Sequence, residues 1–144
     1  MKLFTIGFTQ KNAETFFTRL KQPGLVRLLD ARLNNVSQLA GFTKRDDLNY
    51  FVRVIHGMEY RHLPLLAPSK AILDAYKKNG GDWPTYERQF LALLDERQIA
   101  HKLPQAWFAG GCLLCSEASP AQCHRRLVAE YLQQHWQDVE IIHL

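Results

Sequence analysis

Short apolar runs alternate with longer segments of helical periodicity along the whole chain. Residues 3–6, 25–31, 59–63, 112–115 and 139–143 have strand length and end at glycine, proline or polar residues. Between them, residues 12–20, 43–57, 68–78, 83–98 and 120–134 carry apolar side chains at helical spacing. Asn12 and Thr43 are placed to cap helix starts, Pro84 suits a first turn, and Gly57 suits a helix stop. Residues 32–42 read as a loop. Strands linked by helices pair in parallel, and the crossover helices cover the sheet. The expected fold is therefore α/β: a single-domain, three-layer, Rossmann-like fold over residues 1–144 with a mainly parallel sheet of about five strands.

Composition narrows the class. The chain has 144 residues, 47% of them hydrophobic and 22% charged, which suits a packed domain and not a disordered one. No apolar run nears the roughly 20 residues that span a bilayer, so no membrane partner is expected. The opening MKLFTIGFTQ is too soon broken for a secretory leader, and a cytoplasmic location is the expectation. Three cysteines, Cys112, Cys115 and Cys123, do not make a disulfide framework, and reduced thiols are expected. The net charge of +4 favours an anionic small molecule or nucleic acid as partner.

In parallel α/β sheets ligands bind beyond the carboxyl ends of the strands. Here those ends bring Asp30, Arg32 and His62 together with the segment from Cys115 to Arg126. Asp30 and Arg32 stand two apart on a strand and share a face, so they hold a ligand or pair with each other. His62 and His124 are candidate acid/base groups. Cys115 and Cys123 are candidate nucleophiles, Cys123 at a helix start beside His124, Arg125 and Arg126, where a thiol pKa falls. Lys44, Glu117 and Arg125 are candidate ligand-binding groups, and Glu117 with Arg125 could instead form an ion pair across the loop. A phosphatase-type loop needs Arg about six positions after the Cys; Ala121 and Ala129 stand there. Zinc through Cys112 and Cys115, with Cys123 and His124 downstream, is disfavoured because positions three apart on a strand point to opposite faces and no turn joins the pair, so no metal is assigned. No cofactor is legible.

The chain resembles the DUF488 family, small bacterial and archaeal proteins of unknown function. The matching elements are Thr5-Ile6-Gly7, Asp30-Ala31-Arg32, Phe42 with Lys44, Tyr60-Arg61-His62-Leu63, and Leu114-Cys115-Ser116-Glu117 followed by Pro120, Cys123, His124 and Arg125. The last is similar to the family's Cys-Ala-Glu…Cys-His-Arg signature. Phe8-Thr9 replaces the family's His/Tyr-Ser pair, and Leu65-Leu66-Ala67-Pro68 replaces its Leu-Gly-Gly element. The resemblance implies a site built from Asp30, Arg32, His62, Cys115, Glu117, Cys123, His124 and Arg125, without supplying a substrate.

Three functions fit. One is an enzyme acting on a phosphorylated, nucleotide or nucleic-acid substrate through a Cys/His/Arg/Asp crevice. The second is a non-catalytic nucleic-acid or anion-binding module. The third is a structural or interaction protein in which the same residues only brace the last loop.

Overall fold

The computed structural model describes residues 1–36 and 40–144. Five parallel strands form one sheet in the order β3-β2-β4-β1-β5. They are β1 (Lys2–Gly7), β2 (Arg27–Asp30), β3 (Glu59–His62), β4 (Gly111–Cys115) and β5 (Glu140–His143). The α/β, Rossmann-like expectation holds, and the sheet is wholly parallel among the described residues.

Each strand turns alternate side chains to opposite faces, which builds two cores. Leu3, Leu29 and Leu113 pack with Phe90, Leu94, Leu127 and Leu132. These helical residues belong to α4 (Trp83–Glu96) and α6 (His124–His135), and α3 (Lys70–Lys78) packs on the rim of that core. Phe4, Leu28 and Cys112 face the other way, onto Phe16 and Phe17 of α1 (Ala13–Arg19) and Leu48 and Val52 of α2 (Arg45–His56). The chain therefore leaves β1 and β2 for one face and β4 for the other. A crevice opens beyond the β4 carboxyl end, between neighbours whose helices diverge.

Several boundaries differ from the sequence expectation. Thr43 does not cap α2: it closes a 3-10 turn, and its hydroxyl donates to the Ala40 carbonyl. Lys44 takes the cap position, without a side-chain cap bond. Helix α6 begins at His124, not near Pro120, so Cys123 is its extended cap residue and not part of its first turn. Chain segments 99–102 and 105–107 form a short helix, α5 (Ile99–Lys102), and a 3-10 turn where no helix is expected. The expected loop over residues 32–42 includes residues 37–39, which lie outside the described residues.

Candidate functional site

The carboxyl end of β2 is built around a buried ion pair. Asp30 has no exposure and Arg32 is 4% exposed. Arg32 donates through Nε to Asp30 Oδ1 at 2.8 Å and through Nη2 to Oδ2 at 2.9 Å. Tyr60, on β3, and Asn35 also donate to Oδ2. Burial alone would raise the Asp30 carboxyl, but the Arg32 hydrogen bonds and charge, with the Tyr60 hydroxyl, hold it below the usual carboxylate range. Of the two readings open for Asp30 and Arg32, mutual pairing is the one observed. Arg32 nonetheless keeps one group in reserve: its buried Nη1 has no acceptor among the described residues.

Two histidines fasten the chain just beyond this pair. His124 Nε2 donates to the Ala31 carbonyl at 2.7 Å, and His62 Nε2 donates to the Arg32 carbonyl at 2.8 Å. A carbonyl only accepts, so Nε2 of each ring carries a proton. Burial pushes His124 down to about 4, leaving the ring neutral at pH 7.

The loop after β4 is held from below by Arg125, which has no exposure. Its guanidinium donates to the Glu117 carbonyl, to the Ala118 carbonyl at 3.3 Å, to Thr5 Oγ1 at 3.3 Å and to Cys115 Sγ at 3.2 Å. Burial lowers it to about 10, so it stays cationic at neutral pH. The expected link between Glu117 and Arg125 runs through the Glu117 main chain; no ion pair joins their side chains among the described residues. Gly7 completes the packing. A Cβ there would collide with the Glu117 carbonyl and approach Arg125 Nη1 to 2.8 Å.

Cys115 and Cys123 do not stand as separate thiols. Their sulfurs are bonded to one another, with Cα atoms 7.5 Å apart. In this oxidised form neither is a nucleophile, and reduction would free two adjacent thiols. Cys112 is free and buried in the opposite core, where desolvation pushes its thiol well above the ordinary range. Ligating atoms of Cys115, Cys123 and His124 all lie within 4.8 Å of one another.

A cavity of about 270 Å³ opens on this cluster. Of the residues singled out in the sequence, Arg32, Cys115, Glu117, Cys123 and His124 line it. Asp30, His62, Lys44 and Arg125 do not; Asp30, His62 and Arg125 stand behind the wall and brace it, and Lys44 is exposed at the α2 cap. The opposite wall comes from Tyr76, Trp83 and Tyr86, at the facing ends of α3 and α4. Trp83 stacks on Tyr86 at 4.9 Å between centroids, and Tyr76 leans on Tyr86 at 5.0 Å. In the sequence, Tyr76 and Tyr86 sit at inward helical spacing within residues 68–78 and 83–98, and Trp83 opens the second of these segments. The available signal was three aromatic residues flanking the tight Asn79-Gly80-Gly81 connection.

Apart from Thr5 and Gly7, which precede it, these groups lie inside one family match. The family described as "Domain of unknown function DUF488" covers residues 12–132. The chain belongs to the DUF488 family. Every lining residue of the cavity falls within that span. No curated protein and no solved structure matches this DUF488 chain. No helix among the described residues is long and apolar enough to cross a membrane.

Proposed function

We propose that this DUF488 chain is an enzyme whose cavity takes a small nucleotide-type substrate, a planar ring joined to an anionic group. The observation that carries the reading is the pairing of two opposed walls. Arg32 lines one side and has an Nη1 group without an acceptor among the described residues; Trp83 and its aromatic neighbours line the other. A guanidinium suits phosphate oxygens, and an indole face suits a base. The net charge of +4 favours approach of an anion. The cavity volume, about 270 Å³, lies just below the roughly 300–1,000 Å³ of small-molecule sites and fits one nucleotide better than a strand. Bound this way, the substrate presents its reacting group to Cys115, Cys123 and His124.

Calorimetric titration with ribonucleoside 5′-monophosphates, the matching nucleosides and inorganic phosphate tests the reading. At least one monophosphate should bind at least about tenfold more tightly than either of its fragments, and Trp83→Ala should weaken it by roughly 5- to 150-fold, the worth of one stacking contact. Monophosphates binding no better than phosphate alone would remove the aromatic wall from the proposal. Tight binding only to long single strands, weakening steeply with salt, would favour the nucleic-acid module instead.

A further inference from the structure

We propose that Cys115, Cys123 and His124, with the cysteines reduced, form a binding site for a zinc-class divalent metal ion whose fourth coordination position faces the cavity. This goes beyond the nucleotide reading and does not rest on it.

Several observations converge. The ligating atoms of the three residues lie within 4.8 Å of one another, and all three residues line the cavity. Two thiolates on a tetrahedral ion, with metal–sulfur bonds near 2.3 Å, sit about 3.8 Å apart, which fits inside that spread. The Cα atoms of the cysteines stand 7.5 Å apart, beyond the roughly 4.4–6.8 Å usual when two cysteines bond directly. Such a spacing leaves room for an ion between them.

The groups behind the ligands fit a metal as well. His124 donates its Nε2–H to the Ala31 carbonyl, which fixes the ring and leaves the Nδ1 lone pair to ligate. Metal-bound histidines are held this way by main-chain carbonyls. Arg125, buried and cationic, donates to Cys115 Sγ at 3.2 Å. A charged donor on sulfur favours a thiolate and gains little from a neutral disulfide sulfur. The backbone is fixed on both sides: Cys115 ends β4, while Cys123 and His124 open α6.

Three protein ligands with one open position is the arrangement of catalytic and not structural zinc, and Cys₂His is one of its ligand sets. The ion would polarise a phosphoryl or carbonyl oxygen, or a water, placed in the cavity. Assembly balances in two steps. A phosphine and water reduce the Cys115–Cys123 bond to two thiols and become the phosphine oxide. The dithiol then takes up the divalent ion and releases two protons. Oxidation of the pair and metal binding are mutually exclusive, since forming the S–S bond removes the two thiolate charges that would hold the ion. Cys112, turned into the opposite core, takes no part.

The test is a cobalt(II) titration of the full-length chain, reduced with a phosphine and handled without air. Wild type should take up about one equivalent, with intense visible bands of four-coordinate cobalt and a near-ultraviolet thiolate-to-cobalt band. Zinc should displace the cobalt and bleach both. Cys115→Ser, Cys123→Ser and His124→Gln should each weaken uptake by on the order of 100-fold or more, and Cys112→Ala should leave it unchanged. Circular dichroism checks each variant's fold. Reduced wild type that shows no thiolate-to-cobalt band overturns the proposal. So does a band that survives in folded Cys115→Ser or Cys123→Ser. No nucleotide is present at any stage, so the outcome is independent of substrate binding.

Discussion

Arg125 donates to the sulfur of Cys115 at 3.2 Å from a position with no exposure to solvent. The same guanidinium holds the Glu117 and Ala118 carbonyls and reaches Thr5. One buried cation thus ties the end of β4, the loop beyond it and the neighbouring strand β1 together. The cavity wall above it is shaped by a residue that the cavity never touches.

Arg125→Met should therefore lower stability more than an ordinary core change. It keeps much of the volume but leaves two main-chain carbonyls and a threonine hydroxyl without their donor. An unsatisfied buried group costs about 1–3 kcal/mol; the two carbonyls are partly buried and belong at the low end of that range, so a loss of about 2 kcal/mol is expected in urea denaturation. Arg125→Lys should recover only part, because an ammonium lacks the fork that reaches several acceptors at once. A change within about 0.5 kcal/mol for Arg125→Met would mean that the loop holds its shape without the guanidinium.

Gly7→Ala should also be costly, for a steric reason. The added methyl has no free space between the Glu117 carbonyl and the Arg125 guanidinium. Either the loop lifts or β1 shifts against β4, to which Gly7 pairs opposite Cys115. Overpacking of this kind costs about 1–3 kcal/mol. A thermal melt of Gly7→Ala beside Gly41→Ala, where a Cβ meets nothing within 4 Å, separates the close approach from a general glycine effect. Equal losses in the two would remove the steric argument.

The legible and illegible parts of the chain divide along physical lines. Strands and most helices were readable because burial imposes their periodicity locally. The start of α6 was not, because Pro120 is as acceptable in a loop as in a first turn. What keeps residues 120–123 out of the helix is tertiary: Thr9 and Arg125 hold the carbonyls of Ser116, Glu117 and Ala118. Asp30 and Arg32 were legible as partners because strand geometry sets positions two apart on one face. The bond between Cys115 and Cys123 was not, since nothing in their spacing of eight residues shows that a strand end meets a helix cap. Tyr76 and Tyr86 sit at core spacing and do pack on the core; only the hairpin of α3 and α4 turns their other edges to the cavity.

Removing Asp30 should expose how much Arg32 depends on it. Asp30→Ala leaves a guanidinium that is 4% exposed without its counter-charge. Breaking a buried pair from one side costs about 3–5 kcal/mol. Asp30→Ala combined with Arg32→Met should recover part of that loss, since the uncompensated charge is gone. Urea midpoints of the two single variants and the double variant give the coupling. Additive losses would mean that the pair contributes no interaction of its own.

Tyr60→Phe should change how stability responds to acid. The Tyr60 hydroxyl donates to Asp30 Oδ2, and it is one of the groups that lower the Asp30 carboxyl against the opposing effect of burial. The folded pKa lies below the unfolded value of about 3.9, so the unfolded chain binds the proton first as pH falls. The stabilisation is therefore complete above the unfolded pKa and is lost as pH drops through it toward the folded one. Losing the hydroxyl raises the folded pKa and narrows that gap. Near pH 7 the variant should be less stable than wild type by about 1.5–3 kcal/mol, the worth of a hydrogen bond to a charged group. As pH falls below about 4 and through the folded pKa the two should converge, because the protonated carboxyl no longer rewards the donor. Unfolding free energies across this range give the curve. A difference that stays constant from neutral pH into acid would assign the loss to packing around Tyr60 and not to the Asp30 carboxylate.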